Sequence, residues 1–150
     1  MEVKKAYKSF RYPSHLVWTG GRRGRATAPN KPDLEVGSPP EFRGEETVWS
    51  PEQLLVSSLN TCLMLTFFSL AERRGVELVA YESGAEGLLE NVGGKYRITT
   101  VTARPKVTLK SQAGLASARE IMGTVEEQCF ISNSVTAKID LQPEFHVSGS

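Results

Sequence analysis

Apolar positions along the chain fall into blocks of different period. Leu54, Leu55, Val56, Leu59, Leu63, Met64, Leu65, Phe67, Phe68 and Leu70 are spread around most of a helical circumference. Just ahead of them, Ser50 is an N-cap, Pro51 takes the first helical position, and Gln53 is placed to close a capping box. The pattern predicts a helix from this start to about Arg74, ended by Gly75. A helix apolar on nearly every side must be wrapped by protein. A second helical period, from about Ser111 to Gln128, puts Leu115, Ala118, Met122, Val125 and Cys129 on one face, so Cys129 continues a buried stripe.

Elsewhere the pattern is that of strands and turns. Glu2 to Tyr12 and Leu16 to Trp18 are short strand-forming segments punctuated by Pro13, Gly20, Gly21 and Gly24. Ala28 to Glu46 is mostly loop, with a short strand expected at Leu34 to Val36. Tyr81 to Leu89 and Tyr96 to Leu109 flank Asn91-Val92-Gly93-Gly94 as a hairpin, and Pro105 is expected to put a bulge or an edge in its second arm. Val135, Ala137, Ile139 and Leu141 alternate in a last strand, Val135 to Val147. The order of elements predicts an α+β fold: a largely antiparallel sheet, a long buried central helix and a second, amphipathic helix in one domain over residues 1–150.

Composition narrows the function classes. With 150 residues, 39% of them hydrophobic, the chain can bury one sizeable core. Eighteen basic against seventeen acidic residues give a net charge of +1, which offers no bulk field for nucleic acid or an acidic membrane. The opening MEVKKAYKSFRY has no apolar core of a secretory signal, and the run Leu63 to Leu70 is shorter than the roughly 20 apolar residues a bilayer needs. A cytoplasmic protein without a membrane anchor is expected.

Candidate chemistry is sparse. His15 and His146 lie near opposite ends of the chain and the two cysteines, Cys62 and Cys129, are 67 residues apart, so no short metal-ligand spacing exists and no metal or cofactor is expected. The glycines of TGGRRGRA do not open a helix and do not follow the phosphate-loop spacing. Two cysteines in a chain this large are either small core residues, where free cysteines commonly go, or redox groups. Periodicity leaves both open. Taken singly, Arg22 is a solvated loop cation and Glu52 a partner of the helix dipole at the first turn.

The helix start and cysteine of SPEQLLVSSLNTCLM, the later CFISNS and the loop TGGRRGRA together resemble the OsmC/Ohr family of thiol-dependent hydroperoxide reductases, over nearly the whole chain. The resemblance implies a two-cysteine peroxidase for organic hydroperoxides, with Cys62 at the peroxidatic position and Cys129 at the resolving one. It also implies Glu52 as the helix-start glutamate and Arg22 as the arginine beside the thiolate, with Arg43 as its substitute. Phe130 stands where the family usually has proline, and WSP where many members have TNP, which marks a divergent subgroup. The chemistry is coherent. A guanidinium favours a thiolate and hydrogen-bonds peroxide oxygens, a carboxylate holds that guanidinium, and a second thiol converts the sulfenic acid to a disulfide.

An apolar pocket beside Cys62 is expected to draw on Leu59, Leu63, Phe67 and Phe68. A dithiol of lipoyl type is the expected reductant. Glu52 and Cys62 lie ten residues apart on one helix, about 15 Å along the axis and about 80° around it, so one arginine does not bridge both. With the resemblance, this predicts an intertwined homodimer in which Arg22 and Glu52 serve Cys62 of a second subunit. The alternative is an apolar small-molecule binder or stress protein of the same fold, which would need none of the Arg22, Glu52 and two-cysteine set.

Overall fold

Residues 6–149 are described in the computed structural model of the protein, and the chain divides after Pro51 into two units. In the first, β1 (His15–Gly20) pairs antiparallel with β2 (Arg23–Thr27), and β2 with β3 (Leu34–Gly37). Gly20 and Gly21, with φ of 124° and 54°, supply the left-handed backbone that closes the β1–β2 turn. The expected strand at Glu2 to Tyr12 lies outside the described residues as far as residue 5, and Ala6 to Tyr12 forms no strand. Strand-forming side chains need a partner strand, and among the described residues none pairs with Ala6 to Tyr12. The stretch after β3 is tied back to it where the Gly37 amide donates to the Trp49 carbonyl at 2.9 Å and the Trp49 amide to the Glu35 carbonyl at 3.1 Å.

The second unit is built on α1 (Pro51–Arg73), which starts at the proline the sequence marks and ends in Gly75 at a φ of 68°. By length and composition this helix could cross a membrane. Its stripe Leu59, Leu63, Phe67 and Ala71, however, is packed away against protein, each residue at most 2% exposed. These four join Val101, Ala103, Val107 and Leu109 of the sheet with Ala118, Ile121, Met122, Val125 and Cys129 in one core. The expectation of a helix wrapped on all sides needs correction for the single chain. One stripe faces the sheet, while Leu65 lies exposed and Phe68 is only partly covered, its ring edge-on to Tyr81 of the sheet at 5.4 Å.

β4 (Leu78–Val92) and β5 (Lys95–Leu109) form the expected hairpin, longer than its apolar pattern suggested. Its turn is closed by Gly93 and Gly94, both at positive φ, and the Asn91 side-chain oxygen accepts the Gly94 N–H at 3.0 Å. The expected last strand is two: β6 (Lys138–Leu141) and β7 (Glu144–Val147), parted at Gln142-Pro143. Both run parallel to β5, against Thr100–Ala103 and Lys106–Leu109, so this sheet is mixed. Pro105 is neither at a bulge nor on an edge strand. It pairs in register with Ser83 and falls in the interval between β6 and β7. The ladder is interrupted there already, so a central strand tolerates the proline.

The second helix is also divided. A single turn at Gln112–Gly114 leads into α2 (Leu115–Met122), and α3 (Val125–Gln128) follows after Gly123-Thr124. The Gly123 amide returns to the Arg119 carbonyl at 3.2 Å and the Thr124 hydroxyl to the Ile121 carbonyl at 2.9 Å, so the last carbonyls of α2 are capped locally. The buried stripe nevertheless runs through both pieces to Cys129.

A dithiol candidate active site

Cys62 sits mid-way along α1 beside the buried stripe and is half-buried, whereas Cys129 directly follows α3 and is fully buried. Both are free thiols, Cys129 in the core and Cys62 packed against it, and the Cys129 thiol acts as a hydrogen-bond donor toward the Cys62 sulfur. After Cys129 the backbone turns extended and then re-forms a short turn at Ser132–Ser134. This loop is held by its own polar groups. The Asn133 amide donates to the Cys129 carbonyl at 3.1 Å, the Ser134 hydroxyl to the Phe130 carbonyl at 2.7 Å, and the Asn133 side chain to the Glu127 carbonyl at 3.0 Å. With their carbonyls so engaged, the loop residues present N–H groups to the sulfurs. Those of Phe130 and Ile131 face Cys62, and that of Ser132 lies 3.4 Å from the Cys129 sulfur.

These contacts make the two thiols unequal. Burial pushes the Cys62 thiol up, but the Cys129 thiol, the Ile131 amide, the Thr66 hydroxyl and the Phe130 amide together outweigh it and hold Cys62 below the ordinary thiol range. For Cys129, burial raises the pKa, and the hydrogen bond it gives to Cys62 and the charge there raise it further, against donors at Ser132. Cys62 is therefore the group that ionises first, and Cys129 holds the proton.

Sequence reasoning singled out further residues, and the structure places each. Arg22 is exposed in the β1–β2 turn, while its neighbour Arg23 is engaged by Glu45 at 3.3 Å and Glu35 at 3.9 Å. Arg43 is exposed with a φ of 65°. Glu52 lies in the first turn of α1, and one of its carboxylate oxygens is buried with no hydrogen-bond partner among the described residues. Leu59, Leu63 and Phe67, expected as pocket walls, lie in the core, each at most 2% exposed, and have no open surface in the single chain. Phe68 instead borders an open cleft of about 400 Å³ with Leu78, Val79, Ala80 and Tyr81. His15 and His146 are exposed, His146 beside Glu144 at 2.8 Å. Among the described residues no three His, Cys, Asp or Glu side chains converge.

Sequence reasoning missed Thr66 and the backbone amides of Phe130 and Ile131. Thr66 carried a usable signal, since it follows Cys62 by four residues, one helical turn. The amides carried none, because the direction of a loop N–H is set by backbone angles and not by side-chain type.

A helix-borne thiol of lowered pKa against a buried, protonated second thiol defines a dithiol protein of α+β architecture. The family model for OsmC-like proteins matches residues 44–144, and the chain belongs to the OsmC-like family. It is 27% identical over 134 residues, 87% of this chain and 89% of the relative, to an uncharacterized protein of Bacillus subtilis, YmaD. Solved structures share the fold. An OsmC-like protein of unknown function from Vibrio cholerae aligns over 90% of this chain and 99% of its own at a TM-score of 0.83 and 23% identity. An organic hydroperoxide resistance protein from Legionella pneumophila aligns over 93% and 99% at 0.73 and 20%. The organic hydroperoxide resistance protein OhrB of Bacillus subtilis aligns over 91% and 98% at 0.67 and 21%.

Proposed function

We propose that this chain is a two-cysteine peroxidase that reduces organic hydroperoxides to alcohols. The observation that carries the proposal is the contact between two unequal thiols, Cys62 below and Cys129 above the ordinary range. The Cys62 thiolate attacks the terminal oxygen of R–O–OH. The S–O bond forms as the O–O bond breaks, and the alkoxide leaves and takes up a proton as the alcohol. Cys62 is left as a neutral sulfenic acid. The charge that held the proton on Cys129 is then gone, so the resolving thiol is released for its own step. Its sulfur attacks that of Cys62, hydroxide leaves with the thiol proton as water, and a disulfide joins the two residues. A dithiol reductant, of lipoyl type, supplies the two electrons that restore both thiols.

Peroxides with apolar substituents are the favoured substrates, a preference supported by two exposed apolar side chains C-terminal to Cys62 on α1, Leu65 and Phe68. Arg22 is proposed as the guanidinium that favours the thiolate and binds the peroxide oxygens, and Glu52 as the carboxylate that fixes it. Arg43 stands as the substitute for Arg22. The partly buried, unpartnered Glu52 oxygen supports a cationic partner for that residue. The protein is proposed to act as a cytoplasmic homodimer without metal or cofactor.

Steady-state consumption of cumene hydroperoxide with dihydrolipoamide tests this function. The parent chain is expected to turn over, Cys62→Ser to abolish turnover, and Cys129→Ser to stop after a single turnover. Absence of dithiol-dependent consumption in the parent would contradict the peroxidase and leave the apolar-ligand binder of the same fold.

A further inference from the structure

Thr66 stands one helical turn after Cys62 on the same face of α1, half-buried, and its hydroxyl donates to the Cys62 carbonyl at 2.8 Å. That bond is one the helix does not need, because the carbonyl already accepts the main-chain N–H of residue 66. The same hydroxyl, one turn from the sulfur, is among the groups that hold the Cys62 thiol down. The other groups acting on the sulfur are the Cys129 thiol, the titratable one, and the amides of Phe130 and Ile131. Those three belong to the segment that itself reacts when the disulfide forms. Thr66 belongs to the helix that carries the nucleophile, so it stays beside the sulfur through every step.

We propose that Thr66 is a positioning residue for Cys62: its hydroxyl turns from the Cys62 carbonyl to the sulfur when the thiolate forms, and back to the carbonyl once the sulfur is oxidised and uncharged. The inference rests on the proposed function for its role in turnover, but the hydrogen bond itself is open to measurement without any peroxide.

The experiment is the pH profile of Cys62 alkylation by iodoacetamide, followed by peptide mass spectrometry on the parent, Thr66→Val and Thr66→Ser. Valine keeps the shape and removes the donor, whereas serine keeps the donor. The expected result is a Cys62 midpoint about one pH unit higher in Thr66→Val, a tenfold smaller thiolate fraction below the midpoint. Thr66→Ser should titrate with the parent. Coincident profiles for Thr66→Val and the parent would overturn the proposal, as would a Thr66→Ser profile displaced as far as that of valine. On the same proteins, kcat/KM for cumene hydroperoxide should fall about tenfold in Thr66→Val below the midpoint and rejoin the parent above it. A shifted Thr66→Val midpoint together with a parent that turns over no hydroperoxide would uphold the hydroxyl's bond to the sulfur and remove the peroxidase function instead.

Discussion

At the scale of single residues, the difference between the two cysteines is set by what donates to each sulfur. Cys62 receives donors from its own helix and from the Phe130-Ile131 loop, while Cys129 spends its proton on Cys62. Cys62 is accordingly expected to react with iodoacetamide first, and to keep its reactivity at pH values below the ordinary thiol range of about 8.5. Its thiolate persists as pH falls until the lowered pKa is crossed. Cys129→Ser replaces a thiol donor and alters that threshold, which a pH titration of the remaining thiol would report. Glu52 belongs to the same scale. Glu52→Gln removes the negative charge but not the volume, and is expected to lower kcat/KM for an organic hydroperoxide about tenfold, the worth of one charge-assisted hydrogen bond, with little change in the thermal unfolding midpoint. Equal losses of activity and stability would make Glu52 a structural residue.

At the scale of elements, α1 is pressed onto the hairpin closely enough for one glycine to matter. A Cβ built on Gly87 of β4 would stand 2.7 Å from the Val56 methyl on α1. Gly87→Ala is therefore expected to destabilise the fold by about 1–3 kcal/mol, measurable by urea unfolding, because a branched valine side chain has little room to withdraw. Leu63→Ala, at a core position 2% exposed, should cost about 2–5 kcal/mol in the same assay. The elements differ in how far the sequence made them legible. α1 was readable because Ser50-Pro51 and Gly75 mark its ends by local chemistry, and the hairpin because Gly93-Gly94 permits only a tight turn. The stripe leading to Cys129 was readable from its spacing. The break at Gly123-Thr124 and the parallel pairing of β6 and β7 were not, since both depend on which carbonyls and strand edges lie nearby in space. Pro105 misled for the same reason: a proline signals an interrupted ladder, and the interruption here is a gap between two neighbouring strands. At the site, the cysteines and, by resemblance, their two roles were visible, but the Thr66 hydroxyl and loop amides that help make the thiols unequal were not.

At the scale of the whole molecule, the single chain leaves apolar surface uncovered on α1 at Leu65, 56% exposed, and Phe68, and in the cleft that Phe68 borders. Leu16 and Trp18 of β1 are exposed as well. The proposed homodimer would cover such surface. Sedimentation equilibrium at micromolar concentration is expected to give twice the chain mass, and Leu65→Glu to weaken the association, whereas a fully active monomer would contradict the homodimer. The central claim is that two thiols in contact act as one redox unit, and stoichiometric oxidation tests it most directly. The reduced protein is treated with one equivalent of cumene hydroperoxide, alkylated under denaturing conditions, and mapped by mass spectrometry. The account predicts an intrachain Cys62–Cys129 disulfide as the main product. Recovery of Cys62 as sulfinic acid, or of both thiols unmodified, would contradict it.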